Sequence, residues 1–109
     1  MEVTEMKALL KEIESITFSE HFHGEKVKLR GIAEDEVNSH LASPLKLIDV
    51  DDQGGEPKGH KYSFLFSKSG KYDLKVVVSI KDKRLNVITA HIQNIKRRKV
   101  YEKWLGRQR

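Results

Sequence analysis

The chain has 109 residues, 38% of them hydrophobic, 34% charged and none cysteine, with a mean hydropathy of -0.59. That is the size of one domain with a real core, and it excludes disulfides, thiolate metal sites and cysteine nucleophiles. No apolar run approaches the ~18 residues of a membrane span, the opening MEVTEMKALL lacks the regions of a signal peptide, and no glycine-rich nucleotide-binding motif occurs; a soluble, cytoplasmic protein is expected. The formal charge is +5, and it is uneven: residues 94–109 carry +6 and residues 1–93 carry -1. A near-neutral body with a basic tail suits a polyanion binder, because each neutralised phosphate releases counterions.

Residues 4–15 predict an amphipathic helix, with Met6, Leu9, Leu10 and Ile13 on one face and Thr4 as its cap. Ile16-Thr17-Phe18 is a short β-like stretch. Residues 20–30 return to a helical pattern with Phe22, Val27 and Leu29 inward, weakened by Gly24 and stopped by Gly31. A helix over 34–42 follows, with Glu34, Asp35 and Glu36 in its first turn and Pro44 beyond its end.

From residue 45 the period becomes that of strands. Strands are expected over 45–50, 61–67, 72–81 and 84–92, with the third central in the sheet. The segment 51–59 (DDQGGEPKG) predicts a loop, and Ser69-Gly70 and Asp82-Lys83 predict tight turns. Short connections require antiparallel neighbours. Residues 93–109 predict a basic helix, on which Tyr101 and Trp104 could stack on bases or, as the favoured role for Trp104, dock the helix with Ile95, Val100 and Leu105. The expected fold is α+β: two or three amino-terminal helices packed on a four-stranded antiparallel sheet, with a basic C-terminal helix. It forms a single domain over 1–109, divided into a core at 1–92 and the helix at 93–109.

Five histidines are the first candidates for chemistry. His21-x-His23 could ligate a metal but lacks a third ligand nearby, and His40 and His60 are expected at the surface. Asp49, Asp51 and Asp52 could hold a divalent cation, although an acidic turn is commoner. No serine stands in a GxSxG context. His91 differs, because it sits near the end of the last strand, just before the basic run. Strict alternation places Val87, Thr89 and His91 on one face and Ile88, Ala90 and Ile92 on the other. If the second set packs on the helices, His91 faces outward, where a proton-transfer group would meet a phosphodiester.

The run Arg30-Gly31-Ile32-Ala33-Glu34-Asp35-Glu36-Val37, followed by Leu41 and Pro44, resembles a segment of a family of small toxin-like proteins. So do Val76-Val77-Val78-Ser79-Ile80 and Leu85-Asn86-Val87-Ile88-Thr89-Ala90-His91, and the resemblance covers residues 17–92. Through that family the chain is similar to the metal-independent ribonucleases that include RelE-type toxins, barnase and colicin nuclease domains. The resemblance implies two helices against a four-stranded antiparallel sheet, and cleavage of RNA by its own 2′-hydroxyl to a 2′,3′-cyclic phosphate. In that scheme His91 is the general acid or base, Arg30 and Lys26 stabilise the phosphorane, and His21 (or His23) is the second proton-transfer group. Lys96, Arg97, Arg98, Lys99 and Lys103 hold the flanking backbone. No cofactor or metal is required. RNA, free or on the ribosome, and a cognate antitoxin are the implied partners, with no membrane. The alternatives are a non-catalytic nucleic-acid-binding module, a protein–protein adaptor, and a metal-dependent nuclease using Asp49, Asp51 or a histidine pair.

Overall fold

The computed structural model describes residues 2–20, 22, 32–56 and 59–95. Helix α1 (Val3–Lys11) leads into a short strand β1 (Ser15–Phe18), and helix α2 (Glu34–Ala42) passes through a 3-10 turn at Pro44–Lys46. Four long strands follow: β2 (Leu47–Glu56), β3 (Gly59–Ser67), β4 (Tyr72–Lys81) and β5 (Arg84–Asn94). They form one sheet in the order β1-β5-β4-β3-β2, antiparallel throughout except for the parallel pair β1–β5.

The expected four-stranded antiparallel sheet under two or three helices is therefore corrected to a five-stranded mixed sheet with two α-helices among the described residues. The short β-like stretch at 16–18 is an edge strand of the sheet, with Ile16 opposite Leu85 and Phe18 opposite Val87. Its β-branched and aromatic side chains extend the apolar face of β5, and the rest of the domain supplies the long crossover that parallel pairing needs. No C-terminal helix is present among the described residues. β5 runs on through Asn94, so residues 93 and 94 belong to the sheet, and Ile95 is tied to it by its N–H on the Lys71 carbonyl at 2.8 Å. The basic segment from Lys96 to Arg109, with Tyr101 and Trp104, lies outside the described residues, as does most of the helix expected over 20–30.

Local chemistry accounts for most element bounds. Acids in the first turn of α2 favour its amino end, and proline closes it. Helix α1 begins one residue earlier than expected, with Glu2 rather than Thr4 at the cap position and no side-chain cap. The polar loop expected over 51–59 is instead mostly strand. β2 absorbs its irregular residues through register shifts between Leu47 and Asp49 and between Asp52 and Gly55, with Gly54 at φ 96.

One face of the sheet carries the core. Phe64 and Phe66 of β3, Leu74, Val76 and Val78 of β4, and Leu85, Val87 and Ala90 of β5 are buried together with Met6 and Leu10 of α1 and Val37 and Leu41 of α2. Phe22, read as an inward position, is buried in the same cluster. Each of these side chains larger than alanine contributes about 1.5–3 kcal/mol by leaving water, so this face anchors the helices. Both described helices lie on that side; on the opposite face Ser63 and Asp73 are buried as well.

Candidate functional site

β5 does not alternate strictly. Val77 pairs with Thr89 but Val78 pairs with Val87, so Ile88 is an extra residue, a β-bulge. The bulge shifts the faces: Leu85, Val87 and Ala90 all point into the core, while Thr89 and His91 point away from it. The expected grouping of Val87 with Thr89 and His91 is thus corrected, because period-two alternation holds only while the ladder is continuous. His91 nevertheless reaches the outer face.

The bulge is held by Ser19, the residue after the edge strand β1. Ser19 donates its hydroxyl to the Ile88 carbonyl at 2.8 Å, and its backbone N–H donates to the Val87 carbonyl at 2.9 Å. These bonds satisfy groups that the disrupted ladder leaves over. Ser19 is thereby a positioning residue for everything beyond Ile88, and no sequence motif marks it.

On the outer face His91 stands directly opposite Lys75 of β4, whose other neighbour is Leu65 of β3. Cross-strand partners share a face with their Cβ atoms about 5 Å apart, so the imidazole and the ammonium stem leave the sheet side by side. Both residues are half-buried. Thr89, opposite Val77, makes one adjoining pair, and Gln93 with the buried acid Asp73 makes the other. Lys75 was not singled out from the sequence. The alternation Asp73, Lys75, Val77, Ser79, Lys81 against Leu74, Val76, Val78, Ile80 was the signal that could have found it.

Of the residues expected to act with His91, none falls where a distance can be given: His21, His23, Lys26, Arg30, Lys96, Arg97, Arg98, Lys99 and Lys103 all lie outside the described residues. Other candidates divide between the faces. Asp49 and Asp51 are exposed on β2 opposite Leu65 and Ser63, whereas Asp52 lies on the core side opposite Tyr62. Among the described residues no three histidine or acidic side chains gather as a metal site.

His60 and His40 are not simply surface residues. His60 belongs to β3, stacks on Tyr62 with ring centroids 4.6 Å apart, and holds the Asp52 carboxylate through Nε2 at 2.5 Å. That bond, with a second from the Gly54 N–H, lowers the Asp52 pKa below the usual carboxylate value. His40 packs its ring 5.1 Å from Phe66. Burial lowers its pKa, with Lys46 and Lys68 acting in the same direction and Glu36 against them. Both groups lie on the core side of the sheet, away from His91.

Comparison with protein-family models, curated proteins and solved structures found no match. Among the described residues no helix is long and apolar enough to cross a membrane.

Proposed function

We propose that this protein is a toxin-like endoribonuclease that cleaves RNA through its own 2′-hydroxyl, without a metal ion. The observation that carries the reading is the His91–Lys75 pair, an imidazole and a cation in register on the face turned away from the helices. Such a pair has the two functions that phosphodiester cleavage needs, proton transfer near neutral pH and a positive charge for the phosphorane.

In this mechanism a general base removes the 2′-hydroxyl proton, and the 2′-oxygen attacks the adjacent phosphorus. Lys75, with Arg30 and Lys26, stabilises the charge on the non-bridging oxygens. A general acid protonates the departing 5′-oxygen, leaving a 2′,3′-cyclic phosphate and a 5′-hydroxyl. His91 performs one proton transfer and His21 the other. The basic run at Lys96, Arg97, Arg98, Lys99 and Lys103 holds the backbone on either side. A cognate antitoxin would cover this cationic surface, and the chain would act in the cytoplasm.

The test is incubation of a mixed-sequence RNA with the protein in chelator, comparing the parent with His91→Ala and Lys75→Met. Expected are discrete products ending in cyclic phosphate, reduced by about 10²–10⁴-fold in His91→Ala, the range for a lost proton-transfer group. Cleavage equal in parent and His91→Ala would overturn the assignment. Salt-sensitive RNA binding without cleavage, on free RNA and on ribosomes alike, would replace it with the non-catalytic binding module.

A further inference from the structure

The outer face carries a second polar site, at the opposite end of β4 and β5 from His91. It is a depression of ≈ 420 Å³ lined by Ser15 and Thr17 of β1, Ser79 and Lys81 of β4, and Arg84 and Asn86 of β5, with Asp82 and Leu85 at its margin. The register explains its composition. Thr17, Asn86, Ser79 and Lys61 form one continuous row across four strands, and Ser15, Arg84 and Lys81 form the next. Thr17 and Asn86 already join across the row at 3.1 Å. The two rows thus gather three cations and four neutral hydrogen-bonding side chains, with one acid at the edge.

This end of the sheet gathers positive charge on a tight turn. Lys81 and Arg84 are directly opposed across the ladder. The turn joining them, Asp82-Lys83, has both residues at positive φ, 49 and 64, in a geometry that favours Asn-Gly or Gly-Gly. The turn is retained by the Glu14 N–H, which donates to the Lys83 carbonyl at 2.8 Å. An anion in the depression would meet the Arg84 guanidinium, and the hydroxyl and amide groups beside it would hydrogen-bond its oxygens.

We infer that this depression is a phosphate subsite that holds the RNA backbone a few nucleotides from the scissile bond, an inference that rests on the RNA-cleaving reading above. Its distance from the centre suits that task. Four residues along β4 separate Lys75 from Ser79 and six separate it from Lys81, so the subsite begins about 13 Å from the His91 row and ends about 20 Å away. A strand lying along β4 and β5 would present one phosphate to His91 and Lys75 and a later one to Arg84.

The experiment has two arms. In the first, a non-cleavable 2′-O-methyl oligonucleotide is titrated against parent, Arg84→Gln and Lys81→Gln by fluorescence anisotropy at several salt concentrations. Lys11→Gln, a cation exposed on α1 across the sheet, controls for net charge. Arg84→Gln should bind about fivefold more weakly, and the slope of log K against log salt should fall by about 0.7, the value for one lost single-strand phosphate contact. Lys11→Gln should leave the slope unchanged. An unchanged slope in both Arg84→Gln and Lys81→Gln, in a parent that binds, overturns the subsite. In the second arm, amide NMR shifts are followed with inorganic phosphate alone. Changes centred on Thr17, Ser79, Arg84 and Asn86 support the subsite even if RNA does not bind, in which case only the RNA-cleaving reading falls. Shifts spread over all lysines and arginines overturn it.

Discussion

Gly59 opens β3 at φ 132, a backbone conformation that side chains other than glycine rarely adopt, and it does so against another strand. A Cβ at this position would stand 2.9 Å from the Ile80 carbonyl oxygen and 3.1 Å from its carbon. Both atoms are backbone of β4 at the last pair of the β3–β4 ladder, where Ile80 is also paired with Leu85 of β5, so they cannot swing aside as the end of a side chain would. Gly59→Ala therefore incurs two costs. The positive φ costs about 1–2 kcal/mol, and forcing a methyl group against fixed backbone costs about 1–3 kcal/mol. The expected loss is about 2–5 kcal/mol. With about 4–8 °C of Tm per kcal/mol for a chain near 100 residues, the variant should melt at least about 8 °C below the parent. Gly70→Ala is the matched control, because a Cβ there meets nothing within 4 Å; it should stay within about 0.5 kcal/mol. Thermal unfolding followed by far-ultraviolet circular dichroism reads both. A Gly59→Ala protein melting within about 2 °C of the parent would refute the reasoning, since neither the clash nor the dihedral would then be real.

Two further outcomes follow from the titrating groups. His40 has its pKa lowered from 6.5 chiefly by burial, so the unfolded chain takes up its proton first as pH falls. Its contribution to stability is complete above pH 6.5 and declines as pH drops from there through the lower folded pKa. Urea unfolding across that window should show the decline in the parent and a flatter profile in His40→Gln; identical profiles would contradict it. The Asp52 carboxyl is lowered first by its hydrogen bond to His60 and next by Gly54. Its carbon resonance should titrate below 3.8 in the parent and closer to that value in His60→Gln, whereas an unmoved titration would mean that the pair does not persist in solution.

Much of the chain could be read locally. Helix α2 lies at the residues expected from its acidic first turn and the proline after it, and β4 with its flanking turns lies at the residues expected from its apolar run. These elements are set by neighbours within a few positions, which is what periodicity and turn chemistry report. The segment at 51–59 misled because glycine and proline mark both loops and bulged strands. Only the partner strand β3, pairing Asp52 with Tyr62 and Gly55 with His60, makes the difference. His91 was legible as a candidate from its place near the end of a strand, and its outward face follows from Ala90 and Ile92 packing inward, but its grouping with Val87 failed at the bulge.

By itself the sequence determined a charged chain whose second half is mostly strand, with its cations concentrated at one end. Tertiary structure decided that Ile16–Phe18 joins the sheet, because parallel pairing to β5 is a contact across nearly 70 residues that no local pattern encodes. It also decided that Val87 and His91 face opposite ways. A single extra residue at Ile88, held by Ser19 just past β1, reverses the alternation of all that follows. The Lys75 partner and the Lys81–Arg84 pair come from the same source. Register is a property of two strands together, and it appears only when both are in place.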